Sequence, residues 1–200
     1  ELAQVFPKIR CVCVVGNHGR IRKEKYFKDK QNMSFDYMFY QSCAALLVNQ
    51  KNIEWHIPQT HWADVNIEGK KFHIVHGDLM KGNGSPIAKL EKEANKIRGV
   101  KSAVGDSLDY LVSSHYHSTG KMQIPTGEVI LNASMKGTCE YSRALGYHSD
   151  PIQILFSVNR KYGKTWSIDI NTKHAPDFEP RYKYDFKKGI SGQLLNLKVK

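Results

Sequence analysis

Three apolar stretches of this sequence each end at residues that bind metal ions well. The first ends at Asn17-His18, the second at His76, and the third at His115 and His117. Imidazole nitrogens suit zinc, manganese, iron and nickel, and an amide oxygen suits harder divalent ions. Ligand sites in α/β sheets gather outside the carboxyl ends of strands. The sequence therefore predicts a divalent-metal site built from Asn17, His76, His115 and His117.

The pair His115-x-His117 leaves the number of metal ions open. On an ideal strand the two rings project to opposite sides, so they reach two metals, or one metal if the chain bends. Each element alone is weak evidence, because a surface histidine is usually no ligand and a Gly-Asn-His triplet is usually a turn. The ordered set is the stronger signal, since every member follows an apolar stretch. No site role is assigned to His56, His61, His73, His148 or His174.

The elements that must position these residues follow from the apolar pattern. Short apolar runs predict strands at Ile9–Val15, Ile53–Ile57, Leu108–Ser113 and Glu128–Asn132, and hairpins over Ala63–Val75 and Gln153–Ile170. Helices are predicted from Ser34 to about Asn49, from Ile87 to Arg98 and near Ser102–Asp106. Helices alternate with strands early and strands dominate later, which indicates a layered α/β domain.

Length and charge set further bounds. The chain has 200 residues, enough for one domain, which we expect over residues 1–170 with a basic extension over residues 171–200. No apolar run reaches the roughly 18 residues of a membrane span, and no signal peptide is visible. The net charge of +11 favours a polyanionic partner such as DNA or RNA; the alternative is a basic surface that aids solubility.

The four cysteines are interpreted as reduced thiols in or near the core. Cys11 and Cys13 alternate along a predicted strand, and their C-x-C spacing suits neither a zinc ribbon nor a redox C-x-x-C motif. Reduced thiols predict a cytoplasmic location.

The order of the motifs resembles that of the calcineurin-like metallophosphoesterases. In that family Asp-x-His, Gly-Asp-x-x-Asp, Gly-Asn-His-Asp/Glu, a strand-end His and Gly-His-x-His follow one another, and this sequence matches the last three between Val14 and His117. The resemblance implies a layered α/β/β/α sandwich. The run Gly16 to Arg20, with Tyr141-Ser142 after the strand at Asn132, looks like a branch common among phage-encoded phosphoesterases, whose location would be the host cytoplasm.

The resemblance also implies residue roles. Asn17, His76 and His115 would bind the second of two divalent ions (Mn, Zn, Fe or Ni), and His117 would bind the first. His18 would bind no metal and would stabilise the transition state or protonate the leaving oxygen. Because the two metals would activate a water, no covalent intermediate is needed. Arg20 would hold the substrate phosphate, with a solvated loop cation as the alternative.

Three departures separate this sequence from the family pattern. No Asp-x-His occurs, and the run Gly105 to Asp109 matches Gly-Asp-x-x-Asp only by letters and in the wrong order, so Asp106 is interpreted as a turn or helix-end residue. Gly19 replaces the acid after Gly-Asn-His, which leaves His18 without its usual carboxylate. Ser114 replaces the glycine before His115.

The missing motifs predict that the chain is the C-terminal part of the fold, lacking its N-terminal strands. An upstream segment or partner chain would supply Asp-x-His and Gly-Asp-x-x-Asp, and either it or self-association would cover the exposed strand edge. The leading hypothesis is a phosphoesterase acting on nucleic acid or nucleotides. The alternatives are an inactive binding or scaffold subunit that keeps the fold, and a basic nucleic-acid-binding domain whose histidines bind no metal.

Overall fold

The architecture is a five-stranded mixed sheet with a long helix on one face and a two-stranded ribbon on the other. The computed structural model describes residues 2–21, 33–125, 127–138, 140–144, 146 and 148–173. In chain order the elements are α1 (Leu2–Val5), β1 (Ile9–Val12), α2 (Phe35–Leu46), β2 (Ile53–His56), β3 (Trp62–Ile67), β4 (Lys70–Val75), α3 (Pro86–Ala103), β5 (Tyr110–Ser113), β6 (Gly120–Ile124), β7 (Gly127–Leu131), α4 (Glu140–Ala144), β8 (Ile152–Asn159) and β9 (Gly163–Asn171). The predicted α/β fold class is confirmed.

The central sheet has the strand order β3-β4-β5-β7-β6. Its three middle strands are parallel, and β3 and β6 are antiparallel to their neighbours. The predicted hairpin between β3 and β4 is confirmed, with positive φ at both Glu68 (51°) and Gly69 (77°), as a tight two-residue turn requires. Because Val75, Ser113 and Leu131 are register partners, the residues that follow β4, β5 and β7 emerge along one edge of the sheet.

Two apolar clusters hold the layers together. On one face, Leu90 and Ala94 of α3 are fully buried against the sheet, and the cluster there also contains Met80, Leu108, Leu111, Ile124, Val129 and Leu131. On the other face, Phe72, Tyr110 and Ile130 pack against side chains from β8. Glu128 and Lys164 form a buried ion pair that joins the sheet to the ribbon of β8 and β9. The result is an α/β/β arrangement of layers.

A second, smaller sheet consists of β1 and β2, which pair in parallel. Within the described residues β1 has β2 as its single neighbour. Ser34 caps α2, as predicted, because its hydroxyl accepts a hydrogen bond from the Asp36 amide at 3.2 Å. The apolar side of α2 is open: Phe39 is 65% exposed and Leu46 is 82% exposed. The expectation that the first strand lacks a neighbour stays a prediction.

One predicted element is wrong, and some of the observed elements were not predicted. The short helix expected near Ser102–Asp106 is wrong as a separate element, because α3 continues unbroken to Ala103 and Asp106 lies in the loop beyond it. The helices α1 and α4 and the strand β6 were not predicted. The two helices are too short for a clear apolar period, whereas β6 does alternate polar and apolar residues over Gly120–Ile124, a signal that was missed. Strand β9 ends at Asn171, and most of the predicted basic extension lies outside the described residues. Within those residues, no helix is both long and apolar enough to cross a bilayer.

Candidate metal centre

The centre of the site is a contact between Asn17 and His76. Asn17 lies in the turn after β1, and His76 directly follows β4. The His76 Nε2 atom is 2.9 Å from the Asn17 Oδ1 atom. The imidazole of His76 lies against Gly16, where a Cβ atom would be only 3.1 to 3.3 Å from three ring atoms. A glycine at position 16 therefore allows the ring to approach the backbone and meet the Asn17 amide.

His115 lies beside His76, with ring centroids 5.1 Å apart and an angle of 69° between the ring planes. The chain bends sharply here, since His115 and His117 both adopt positive φ, of 67° and 56°. Positive φ is uncommon for residues other than glycine and is concentrated at functional sites. The rings therefore do not project as on an ideal strand, and the bent alternative of the sequence analysis is the one observed.

Hydrogen bonds from Ser114 fix this bend. Its amide donates to the His76 carbonyl oxygen, and its hydroxyl donates to the carbonyl oxygen of Asn132, each at 3.0 Å. Ser114, in the loop after β5, thus forms hydrogen bonds to the loops after β4 and β7. Ser114 takes the position of the glycine that precedes the His-x-His pair in the family pattern. In the structure its two hydrogen bonds stabilise the bend of the chain.

Burial keeps the central imidazoles neutral at physiological pH. It lowers the pKa of His76 to about 4, despite the opposing negative charges of Asp78 and Asp36. Burial likewise lowers the pKa of His115, against the charge of Asp78 and with smaller contributions from His117 and His18. A neutral imidazole has a free nitrogen lone pair, which is the form that binds a metal ion. His18 therefore lies within electrostatic range of both His76 and His115, and His117 lies within range of His115.

Two carboxylates at the site were missed by the sequence analysis. Asp36 Oδ2 accepts a hydrogen bond from the Gly16 amide at 2.8 Å. A Cβ atom at Gly19 would lie 2.4 Å from the Asp36 Cγ atom, so the carboxylate fills the space that a side chain at position 19 would need. Helix α2 thus brings a carboxylate to the Gly-Asn-His turn from 17 residues beyond Gly19, where it binds the Gly16 amide. The expectation that His18 lacks its usual carboxylate stays a prediction.

Asp78 is the second of these carboxylates, and it lies two residues after His76. Its negative charge raises the pKa of both His76 and His115 against the effect of burial, so it lies close to both rings. The sequence signal for Asp78 was its place in the strand-end run His76-Gly77-Asp78. The signal for Asp36 was weaker, because an acid in the first turn of a helix is common for reasons of capping alone.

Arg20 reaches back over the turn to the same site. Its Nε atom donates a hydrogen bond to the Asn17 carbonyl oxygen at 2.7 Å. This contact holds the backbone of the turn that presents Asn17 and His18. The binding of a substrate phosphate by Arg20 stays a prediction.

The donor set fits part of a metal shell. Two adjacent ligands at about 2.1 Å from an ion, at right angles, are about 3 Å apart, so the Asn17 and His76 atoms are spaced as neighbouring ligands. The described residues contain no group of three His, Cys, Asp or Glu side chains around a common point. Asn17, His76 and His115 would thus form part of the ligand set. A complete metal shell would need further donor atoms, either from nearby side chains that move closer or from outside the described residues.

A cavity of about 210 Å³ lies at the opposite end of β4, near Lys71. The charged groups lining it are already paired: the Lys101 ammonium contacts Asp64 at 2.9 Å and Asp106 at 3.0 Å, and Lys71 also contacts Asp106. Asp106 is therefore a loop residue that forms structural ion pairs. This agrees with its interpretation from the sequence as a turn or helix-end residue. These charges therefore neutralise one another.

Comparisons with known proteins found distantly similar solved structures only. No family model and no curated protein sequence matches this chain. Similar solved structures include a Vps29 single mutant from Entamoeba histolytica (12% identity, TM-score 0.42, 80% of this chain and 99% of that one). Wild-type Vps29 of the same organism complexed with Zn²⁺ has 13% identity and a TM-score of 0.41, over 66% of this chain and 76% of that one. A conserved uncharacterized protein from Streptococcus pneumoniae, described as a predicted phosphoesterase, has 10% identity and a TM-score of 0.35, over 68% and 91%. At such scores the likeness carries no argument about chemistry.

Proposed function

We propose that this chain is a metal-dependent phosphoesterase that hydrolyses phosphate esters of nucleic acid or nucleotides. The observation that supports this most is the meeting of Asn17, His76 and His115 from three separate loops at one end of the strands. Titratable groups whose pKa values are shifted by burial and by specific charged neighbours, as those of His76 and His115 are, cluster at functional sites.

The side chains would divide the work as follows. Asn17, His76, His115 and His117 would hold one or two divalent ions, which when bound acidify water and offset negative charge on the phosphoryl group. A protonated His18 would give its proton to the leaving-group oxygen as the ester bond breaks. Arg20 would bind a phosphoryl oxygen.

Asp36 would keep the turn that presents Asn17 and His18 in place, through its bond to the Gly16 amide.

The donor set would be completed from outside the described residues. An N-terminal segment or a partner chain would supply the carboxylates, by pairing along the open edge of β1. A strand added there in parallel would end beside Asn17, because the carboxyl ends of parallel strands meet at one edge. The same segment, or self-association, would cover the apolar side of α2.

The net charge of +11 supports a polyanionic substrate over a small neutral ester. A basic surface raises the local concentration of nucleic acid and makes its binding sensitive to salt. Nucleotides and nucleic acid share the phosphate ester that the site would cleave. A cytoplasmic location, predicted from the thiols, is part of the same proposal.

Hydrolysis of bis(4-nitrophenyl) phosphate in the presence of Mn²⁺ or Zn²⁺ tests this function. We expect turnover that EDTA abolishes and added metal restores. His18→Asn should lower kcat by roughly 10²- to 10⁴-fold, the usual contribution of a general acid, with metal binding retained. Turnover that persists in EDTA, or an unchanged kcat in the variant, would contradict the proposal.

A binding or scaffold subunit is the second candidate. It is favoured by the lack, within the described residues, of any group of three His, Cys, Asp or Glu side chains around one point. A chain that binds phosphate esters tightly and shows no turnover with any of the four metals, alone or with its upstream segment, would support this candidate instead.

A further inference from the structure

A lysine lies beside the imidazole cluster, next to the ring of Tyr116. Lys89 is in the second turn of α3, and its Nζ atom lies 5.5 Å from the centroid of the Tyr116 ring. The Tyr116 ring in turn contacts the His115 ring, with centroids 5.1 Å apart and planes at 74°. The ammonium of Lys89 therefore lies one aromatic ring away from a residue of the proposed metal centre.

Lys89 forms no ion pair within the described part of the chain, although the charge of Asp78 reaches the same Tyr116 and His115 side chains. Among the residues that the structure describes, no carboxylate lies within ion-pair distance of its Nζ atom. Other lysines of the same helix behave differently: Lys96 contacts Glu93 at 3.1 Å, and Lys101 contacts two aspartates. The positive charge of Lys89 also reaches His115, whose pKa is lowered mainly by burial and in smaller part by this lysine.

The contact with Tyr116 positions the ammonium without cancelling its charge. A cation over the face of a tyrosine ring is attracted to the ring's electron density, and the ammonium keeps its hydrogen-bond donors for another partner. Lys89 is also only partly exposed, so an anion that reaches it gains more than it would at a fully solvated lysine. The group that fits beside it is a phosphate, the one anion that the neighbouring site would already handle.

We propose that Lys89, held over Tyr116, is a substrate-binding residue that contacts a phosphate group of the substrate. The inference rests on the proposed function, because it takes the imidazole cluster as the place where the ester is cleaved. The phosphate contacted is either the one cleaved or the next one along a nucleic acid strand, and the two sources are separable by experiment.

The test compares Lys89→Met with Lys96→Met. Residue 96 lies two turns further along the same face of α3, about 10 Å away, and carries the same charge. Each variant is assayed with Mn²⁺ on bis(4-nitrophenyl) phosphate, which has one phosphate, and on the 4-nitrophenyl ester of thymidine 5′-phosphate that carries a second phosphate at the 3′ position.

We expect Lys89→Met to lower kcat/KM by roughly 10- to 100-fold, the usual worth of a charge-assisted hydrogen bond, and Lys89→Arg to restore most of it. An equal loss on both substrates assigns Lys89 to the cleaved phosphate, and a loss on the second substrate alone assigns it to the next phosphate. No loss on either substrate, or an equal loss in Lys96→Met, overturns the proposal.

A binding measurement separates this inference from the proposed function. Inorganic phosphate is titrated into wild type and Lys89→Met, and the NMR signals of the Tyr116 ring are followed. If wild type hydrolyses neither ester, the proposed function fails, yet saturable shifts that need Lys89 would still support the subsite. Shifts of equal size and midpoint in both proteins, or no shifts in wild type, would overturn the subsite even in an active enzyme.

Discussion

His76 Nε2 lies 2.9 Å from Asn17 Oδ1, although the two residues are 59 positions apart in the chain. In the metal-free protein this contact is a hydrogen bond that the imidazole donates to the amide. The same spacing suits two neighbouring ligands of one cation, so metal binding would replace the shared proton with a shared ion. The contact thus holds the ligands close to their binding positions before the metal arrives.

His76→Ala should weaken metal binding on the order of 100-fold or more, because it removes a ligand and the partner of Asn17. The fold should persist, since the side chain adds little to either apolar cluster. Calorimetric titration with Zn²⁺ measures the affinity, and circular dichroism checks the fold. His56→Ala is the matched control, because His56 is an exposed histidine at the end of β2. Equal affinities in the two variants would show that His76 is no ligand.

Gly19→Ala should destabilise the protein by about 1 to 3 kcal/mol, because the new methyl group would overlap the Asp36 carboxylate. The carboxylate cannot simply swing away without losing its bond to the Gly16 amide. In an Asp36→Ala background the same change should cost less than about 0.5 kcal/mol, since the overlapping atoms are gone. Urea unfolding of the four proteins in this cycle measures the coupling. Costs that simply add would mean that the two residues do not meet.

Acid should destabilise the metal-free protein through His76. Its pKa is about 4 in the folded state and near 6.5 when unfolded, so the unfolded chain binds the extra proton. The stabilisation is complete above pH 6.5 and is lost as the pH falls through 4, a change on the order of 2 to 3 kcal/mol. Free energies of unfolding at pH 7.5 and pH 4 should therefore differ less in His76→Gln than in wild type. Identical pH dependence in both proteins would contradict the buried, neutral imidazole.

Lys164→Met should destabilise the protein by about 3 to 5 kcal/mol, because it leaves the Glu128 carboxylate buried without its partner. The side chains of Lys164 and Glu128 are only 13% and 6% exposed. Adding Glu128→Gln should recover part of the loss by removing the unpaired charge. Lys173→Met is the control, since its pair with Asp150 is 3.5 Å long and exposed, and its loss should change little. An equal loss of thermal stability in Lys173→Met and Lys164→Met would contradict this account.

The sequence was most informative where an apolar strand ends at a polar residue. The strands before Asn17, His76 and His115 could be predicted because each is a short apolar run with β-branched residues. The hairpin turn could be predicted because Gly69 suits positive φ. Parallel pairing of β4 and β5 then brings His76 and His115 together without further information.

The parts that could not be predicted depend on contacts distant in sequence. The bend at His115 and His117 is held by Ser114 through carbonyl groups of His76 and Asn132, which no local pattern reveals. Asp36 reads as an ordinary acid in the first turn of a helix, and only the folded chain puts its carboxylate against Gly19. In the sequence Lys89 is one of many lysines, and only the folded chain places its ammonium over the ring of Tyr116.

The most direct test of the central claim is an NMR titration of the metal-free protein with Zn²⁺, following the ring ¹⁵N signals of all nine histidines. The account predicts that the ring nitrogens of His76 and His115 shift first and saturate together, while those of His56 and His148 do not move. Shifts confined to other histidines, or rings of His76 and His115 that stay unchanged at saturating Zn²⁺, would contradict the existence of a metal centre at these strand ends.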